Sequence, residues 1–287
     1  MQVLAPAKIN LSFEIKGRRA DGFHEIETLM APISLADELE IERAGDDGEV
    51  KFFCDDPTLP RGDDNLVVRA ANLFRATSKM TAGITISLNK KIPHGAGLGG
   101  GSSDAASTLL CLNEMFGGPL SLEELSELAA QLGSDVPFFL VRSAAVCRGR
   151  GELVTPVVLE QAFPLLLLKP NFGVPTPWAY GRWKNSCELP AVDYSAQHVA
   201  GIKFVNDLER PVFEKYVFLA RLKAWLRAQP EVSVALMSGS GSTMFAVLRD
   251  AERAGELADR ARAQIDPELW TCVSRLSAST SPAHIRD

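Results

Sequence analysis

Apolar and polar residues alternate without a break from residue 7 to 16: Ile9, Leu11, Phe13 and Ile15 fall on one side, and Lys8, Asn10, Ser12, Glu14 and Lys16 on the other. A period of two predicts a half-buried strand, on which Lys8 and Asn10 stand side by side about 6.6 Å apart. Residues 17–22, with glycine at both ends, read as a turn. Further strands are expected near 25–33, 38–43, 50–54 and 84–88. The strands ahead of the glycine-rich run read as antiparallel.

The period then lengthens. Leu66, Val67, Ala70, Ala71, Leu73 and Phe74 recur with helical spacing, behind Asp63 or Asp64 as the cap. A second helix is predicted over 102–115, stopped by Gly117 and Gly118. Ser121 and Glu124 form a capping box ahead of Leu122, Leu125, Leu128, Ala129 and Leu132. Ser134-Asp135-Val136-Pro137 reads as a fresh helix start, with Ser134 or Asp135 near the N-cap and Pro137 in the first turn, where its missing N–H does no harm. Beyond Gly151, strands at 154–159, 163–168, 232–237, 243–248 and 271–276 alternate with helices near 212–227 and 251–263. That order is α+β, with mixed or antiparallel sheets flanked by helices.

Composition narrows the function. The 287 residues are 46% hydrophobic and 23% charged, with a net charge of −6, which argues against nucleic-acid binding through a broad basic surface but leaves room for a local phosphate pocket. No apolar run approaches the roughly 18 residues that span a bilayer, and the first residues lack the parts of a signal peptide, so a cytoplasmic protein without a membrane partner is expected. The five cysteines are scattered and never spaced C-x-x-C, which predicts reduced thiols rather than disulfides or a zinc cage.

The strongest chemical signal is Pro93-His94-Gly95-Ala96-Gly97-Leu98-Gly99-Gly100-Gly101-Ser102-Ser103-Asp104-Ala105-Ala106, between an expected strand and an expected helix. Glycines let a backbone approach a ligand closely, and successive amides with a helix N-terminus make a phosphate cradle. The run satisfies G-x-G-x-x-G, yet six residues separate it from the preceding strand, unlike a dinucleotide fingerprint. It lacks the Gly-Lys-Ser/Thr of a Walker loop and the partner motifs of protein kinases. Met237-Ser238-Gly239-Ser240-Gly241-Ser242-Thr243 is a second glycine-serine turn, which could close on the same ligand from the opposite side.

With these motifs the chain resembles the GHMP small-molecule kinases. The resemblance is carried by Pro6-Ala7-Lys8-Ile9-Asn10-Leu11, Ala20-Asp21-Gly22-Phe23-His24-Glu25, Asp64-Asn65-Leu66-Val67, the glycine loop, Gly133-Ser134-Asp135-Val136-Pro137, Gly149-Arg150-Gly151-Glu152 and residues 238–242. It implies a two-domain architecture, an N-terminal ATP-binding domain over 1–157 and a C-terminal domain over 158–287, with the active site in the cleft between them. It also implies transfer of the ATP γ-phosphoryl group to an alcohol, and within the family it points to a cytidine-diphosphate-linked methylerythritol as the small-molecule acceptor.

By the same resemblance Asp135 is the catalytic aspartate and Lys8 its partner. Asn65, Leu66, Lys90 and the run from Pro93 through Ser103 hold ATP, and Asn10, Phe23, His24, Thr176, Pro177 and Tyr180 face the acceptor. Phe23 stands where the family commonly has tyrosine, so ring packing is kept and a phenolic contact is lost; His94 replaces a common methionine. ATP implies Mg²⁺, for which Ser102 or Ser103 offers a hydroxyl, but no carboxylate ligand can be singled out. Asp135 is expected to orient the acceptor hydroxyl and take its proton late, because phosphoryl transfer draws mainly on positioning and charge neutralisation. The rivals are a GHMP kinase with a mevalonate- or homoserine-like acceptor, and a non-catalytic nucleotide-binding regulator on the same scaffold.

Overall fold

The alternating segment at the start of the chain is the long strand β1 (Gln2–Arg18). It pairs antiparallel with β2 (His24–Ala44) on one side and parallel with β9 (Ile202–Asn206) on the other. A strand paired on both edges is central, and both faces of β1 are covered between Ala7 and Leu11. The expected polar face is therefore not solvated there: Lys8 is 4% and Asn10 1% exposed. The β1–β2 register shifts between Pro6 and Lys8 and again between Asn10 and Ser12. Irregularities of this kind re-aim side chains, and here they flank the two buried polar residues.

The computed structural model describes residues 1–45 and 48–276. After β2 come β3 (Val50–Cys54), α1 (Leu66–Ser78), β4 (Gly83–Asn89), α2 (Gly100–Met115), α3 (Leu122–Leu132), α4 (Val136–Leu140), β5 (Ala145–Gly149) and β6 (Leu153–Pro156). The second half runs β7 (Phe163–Lys169), α5 (Thr176–Trp183), β8 (Gln197–Val199), β9, α6 (Glu209–Lys215), α7 (Val217–Arg227), β10 (Val232–Met237), β11 (Met244–Leu248), α8 (Ala254–Gln264) and β12 (Trp270–Leu276). The strands follow the order β10-β11-β7-β12-β2-β1-β9-β8, with β3 to β6 attached beside β2. Among the described residues no helix is long and apolar enough to cross a membrane.

Several expectations are corrected. The two strands at 25–33 and 38–43 are one, β2, because β1 pairs along most of its length while its other edge passes from β5 to β4. The α1 cap is Asn65, whose side chain accepts from the Val67 N–H, and not Asp63 or Asp64. The strand feeding the glycine loop, β4, is antiparallel to β2 but parallel to β3. The single helix over 212–227 is broken at Tyr216, whose φ of −106° and ψ of 66° are not helical. Strands β5, β8 and β9 and helix α5 were not anticipated from sequence.

One core lies beneath α1 to α4, around Phe74, Phe138, Ile84 and Leu112. A second gathers Phe213, Leu222 and Leu257 under the helices of the later half. A third joins the halves: Ile9 and Leu11 of β1 pack with Phe204, Leu165, Leu167, Phe245 and Val247. Each large side chain buried here contributes about 1.5–3 kcal/mol. The two halves thus meet through apolar packing as well as through β1–β9 and β12–β2 pairing.

Candidate active site

The glycine loop is shaped by backbone that other residues resist. Gly95, Gly97 and Gly99 have φ of 63°, 75° and 71°, left-handed values that favour glycine. At Gly97 the need is also steric. A Cβ there would lie 2.3 Å from the Ser238 carbonyl oxygen and 2.9 Å from that of Gly241. The two glycine turns therefore touch backbone to backbone, tied by Ser238 Oγ donating to the Gly97 carbonyl at 2.9 Å and by the Thr243 N–H donating to the Ala96 carbonyl at 3.2 Å. Gly99 ends the loop as the cap of α2, against the Lys8 stem and the Phe139 ring.

Two cavities share this wall. A groove of about 370 Å³ runs from Asn65 and Leu66 along Pro93, His94 and Gly95 to Ser102. A smaller cavity of about 220 Å³ holds Lys8, Asn10, Thr28 and Asp135, and is closed by Thr176, Tyr180, Gly239 and Ser240. Gly97 and Gly99 line both.

Within the smaller cavity, Lys8 Nζ donates to Asn10 Oδ1 at 2.7 Å, Asn10 Nδ2 donates to Thr28 Oγ1 at 2.9 Å, and Thr28 Oγ1 donates to the Ser12 carbonyl at 2.6 Å. This chain satisfies the buried amide and aims its oxygen at the ammonium. Asp135 Oδ2 lies 3.6 Å from Lys8 Nζ, with its side chain 40% exposed while that of Lys8 is 4% exposed. Asp135 caps α4 without using its side chain on the helix backbone, so the carboxylate stays available to the cavity. A buried ammonium beside a solvent-reached carboxylate suits an arrangement in which one neutralises charge and the other accepts a proton.

The expected acceptor residues separate into groups. Asn10, Thr176 and Tyr180 line the cavity. His24 packs on Tyr180 with ring centroids 5.2 Å apart and edge-on to Trp183 at 6.0 Å. Burial, and then the Arg18 charge, hold the His24 imidazole below its ordinary pKa. Burial also raises the Tyr180 phenol, with the Asp135 charge adding to it, so this hydroxyl stays protonated at neutral pH. Phe23 is 50% exposed, with the Arg150 guanidinium 4.8 Å above its ring. Pro177 sits on the exposed first turn of α5, outside the cavity lining.

The expected ATP residues divide similarly. Asn65, Leu66, Lys90, Pro93, His94, Gly95, Ala96, Gly97, Gly99, Gly100, Gly101 and Ser102 line the groove. The side chains of Leu98 and Ser103 are buried away from it; Leu98 contributes its carbonyl, which accepts from the Lys8 N–H at 2.9 Å. Asn65 spends its side chain on the α1 cap and on the Pro60 carbonyl, at 2.8 Å. The Lys90 ammonium is committed behind the loop to Asp37 and to Asp104, the latter at 2.8 Å. Burial alone would lower Lys90, but the carboxylates of Asp104 and Asp37 outweigh it and hold it above the ordinary value. Burial pushes Asp104 up to about 7, against the pull of Lys90. Asp37 further accepts the N–H groups of Lys91, at 2.6 Å, and Ile92, at 2.8 Å.

Sequence reasoning missed Thr28, Asp37 and Asp104. Thr28 carries no signal of its own, whereas Asp37 falls between the expected strands at 25–33 and 38–43 and Asp104 falls in the glycine-serine run at the start of the expected helix. Gly239 and Ser240 belong to the second glycine-serine turn, expected as a whole to close on the same ligand from the opposite side, and here they line the smaller cavity.

Matches to known proteins follow the same geography. Profiles of the GHMP kinase N-terminal and C-terminal domains match residues 65–143 and 197–266. Over 272 residues the chain is 44% identical to the 4-diphosphocytidyl-2-C-methyl-D-erythritol kinase of Methylacidiphilum infernorum (isolate V4), covering 93% of each. A crystal structure of 4-(cytidine 5'-diphospho)-2C-methyl-D-erythritol kinase is 35% identical with a TM-score of 0.79, covering 97% of this chain and 100% of that one. A homoserine kinase from Cytophaga hutchinsonii, 18% identical, shares the fold with a TM-score of 0.68 over 97% of this chain and 94% of its own.

Proposed function

This chain belongs to the GHMP kinases, and from that we propose that it transfers the γ-phosphoryl group of ATP to the 2-hydroxyl of 4-diphosphocytidyl-2-C-methyl-D-erythritol, with Asp135 and Lys8 at the reacting oxygens. The observation that carries the chemistry is that the Lys8–Asp135 pair and the Gly97–Gly99 backbone wall one small cavity, and that the same two glycines line the neighbouring groove. An ATP lying along the groove would present its terminal phosphate to the pair. The choice of acceptor is supported by the full-length likeness to kinases of that name. The division between the domains is taken between residues 157 and 158, in the connection from β6 to β7.

The acceptor hydroxyl would sit against Asp135, which orients it and receives its proton as the phosphoryl group arrives. Lys8, held by Asn10, offsets charge on the transferring oxygens. Such a positioned base contributes about 10²–10⁴-fold. The backbone N–H groups that open α2 have no intrahelical acceptors and suit phosphate oxygens. Mg²⁺ fits as a companion of the nucleotide. Ser102 brings a hydroxyl to the groove at the start of α2, and among the described residues no cluster of three acids, histidines or cysteines forms a dedicated metal cage. Ser102, which lines the groove, would then supply one oxygen, with phosphates and water supplying the rest, and the ion would neutralise phosphate charge.

A coupled ADP-release assay tests the reading. ADP is expected with the cytidylylated methylerythritol and not with mevalonate or homoserine. Transfer only to one of the latter would overturn the acceptor and keep the kinase class, while ATP binding with no transfer to any alcohol would leave a nucleotide-binding regulator.

A further inference from the structure

The turn that closes the small cavity over Lys8 is gripped from behind by a side chain that lines neither cavity. Asn206 ends β9 and is 5% exposed. Its Nδ2 donates to the carbonyl oxygens of Met237, at 2.7 Å, and Gly239, at 2.8 Å, while its Oδ1 accepts from the Leu208 N–H at 2.9 Å. Both donors and the acceptor of the amide are thus in use. Glu209, three residues on, is paired with Lys223 and accepts the Met237 N–H at 2.9 Å. Both backbone polar groups of Met237, and the carbonyl of Gly239, are therefore fixed by residues 206–209.

What that grip controls is the backbone nearest the reacting groups. A Cβ on Gly239 would lie 3.1 Å from Asn10 Oδ1 and 3.3 Å from Lys8 Nζ. The other end of the lever is also fixed, because Asn206 stands opposite Phe13 in the parallel β9–β1 pairing, on the strand that carries Lys8 and Asn10. The amide therefore links the turn of the later half to the strand that carries the ammonium, beside the Ser238–Gly97 and Thr243–Ala96 bonds that tie the same turn to the glycine loop.

We infer that Asn206 is a positioning residue for phosphoryl transfer, its amide fixing how closely the Gly239 backbone stands to the Lys8 ammonium and the Asn10 oxygen. The inference rests on the proposed kinase reaction. Misplacement by about 1 Å at a reacting centre costs on the order of 10²-fold in rate, which is the scale on which such a strap acts.

Asn206→Asp tests it, since the near-isosteric carboxylate keeps the acceptor for Leu208 and sets an oxygen against the two carbonyls. Steady-state kinetics with ATP and acceptor varied separately, on protein shown to be folded by its melting curve, should give kcat reduced about 10–100-fold. The KM for ATP should change far less than kcat. Gly239→Ala is predicted to lower kcat too, and the double variant should lose no more than about twofold beyond the worse single one, because both act on the same turn. A folded Asn206→Asp protein with kcat within about twofold of the unaltered chain, or full additivity with Gly239→Ala, overturns the positioning role. If Asn206→Asp does not fold, Asn206→Ala, which bares the carbonyls without adding charge, is judged by the same criterion. The two readings fail differently. An unaltered chain that phosphorylates no alcohol removes the proposed reaction and this role with it, whereas an active chain with an indifferent Asn206 removes only the role.

Discussion

The main-chain N–H of Lys8 donates to the carbonyl oxygen of Leu98 across 2.9 Å, so the residue whose ammonium faces Asp135 is itself stitched to the middle of the glycine loop. That bond joins backbone to backbone and survives a change of side chain. Lys8→Met and Asp135→Asn are therefore expected to spare the loop and strike the chemistry, each lowering kcat about 10²–10⁴-fold while the KM for ATP moves little. Near-full turnover in a folded Asp135→Asn protein would show that the carboxylate has no part in the reaction.

Two glycines of the same loop should respond differently to alanine. At Gly95 no atom lies within 4 Å of the added Cβ, so only the left-handed backbone at φ 63° resists, at a cost of about 1–2 kcal/mol. At Gly97 the Cβ meets two carbonyl oxygens of the opposing turn, and neither can swing aside as a side chain would. Gly95→Ala should melt somewhat earlier and keep turning over. Gly97→Ala should lose at least about tenfold in kcat as the turns part. Equal kinetics in the two variants would mean that the meeting of the turns has no catalytic consequence.

Lys90 and its chain neighbour Lys91 separate burial from exposure. Lys90→Met leaves Asp37 and Asp104 buried without a cation, and a loss of about 3–5 kcal/mol is expected in urea unfolding. The Lys91–Glu38 pair is nearly half exposed on both sides, so Lys91→Met should cost about 0–1 kcal/mol. Similar unfolding midpoints for the two would show that Lys90 is not holding the loop from behind.

Acid should weaken the fold through His24. Its imidazole is held below the ordinary value of 6.5 in the folded chain, by burial and then by Arg18, so the unfolded chain binds the proton more readily. The contribution is complete above pH 6.5 and is lost as the pH falls through the lower folded value. Denaturant titrations at pH 7.5 and 5.5 should show the unaltered chain losing more stability than His24→Gln. An equal loss in both would remove His24 as the source.

The period of the apolar residues announced most elements, because patterns such as Leu122 to Leu132 are local, and the Ser121–Glu124 capping box that opens that helix is present as expected. Partner choice was not local. Nothing along residues 34–37 says that β2 runs straight on, since its continuity depends on β1 beside it. The strand β8 has only three residues, too few to show a period. At the site, the alternation put Lys8 beside Asn10, but it could not reveal that Gly99 at the cap of α2 and Gly239 of the late turn would close over them and leave both buried. Lys90 shows the limit of reading single residues. Its place beside the loop was legible, yet one carboxylate partner, Asp37, comes from β2, 53 residues away, and the other, Asp104, lies one helical turn into α2 beyond the loop.

The seam between the halves also has an evolutionary reading. Lys8, Asp135, Gly97 and Gly99 of the smaller cavity all come from the first half, whereas Thr176, Tyr180 and Leu208 of the same cavity come from the second. If the proposed roles hold, lineages can retool the second set, one side chain at a time, to admit a differently shaped alcohol while inheriting the strand and loop of the first set intact. Divergent catalysts on this scaffold should differ most along α5 and at the start of α6, and least where backbone meets backbone at Gly97.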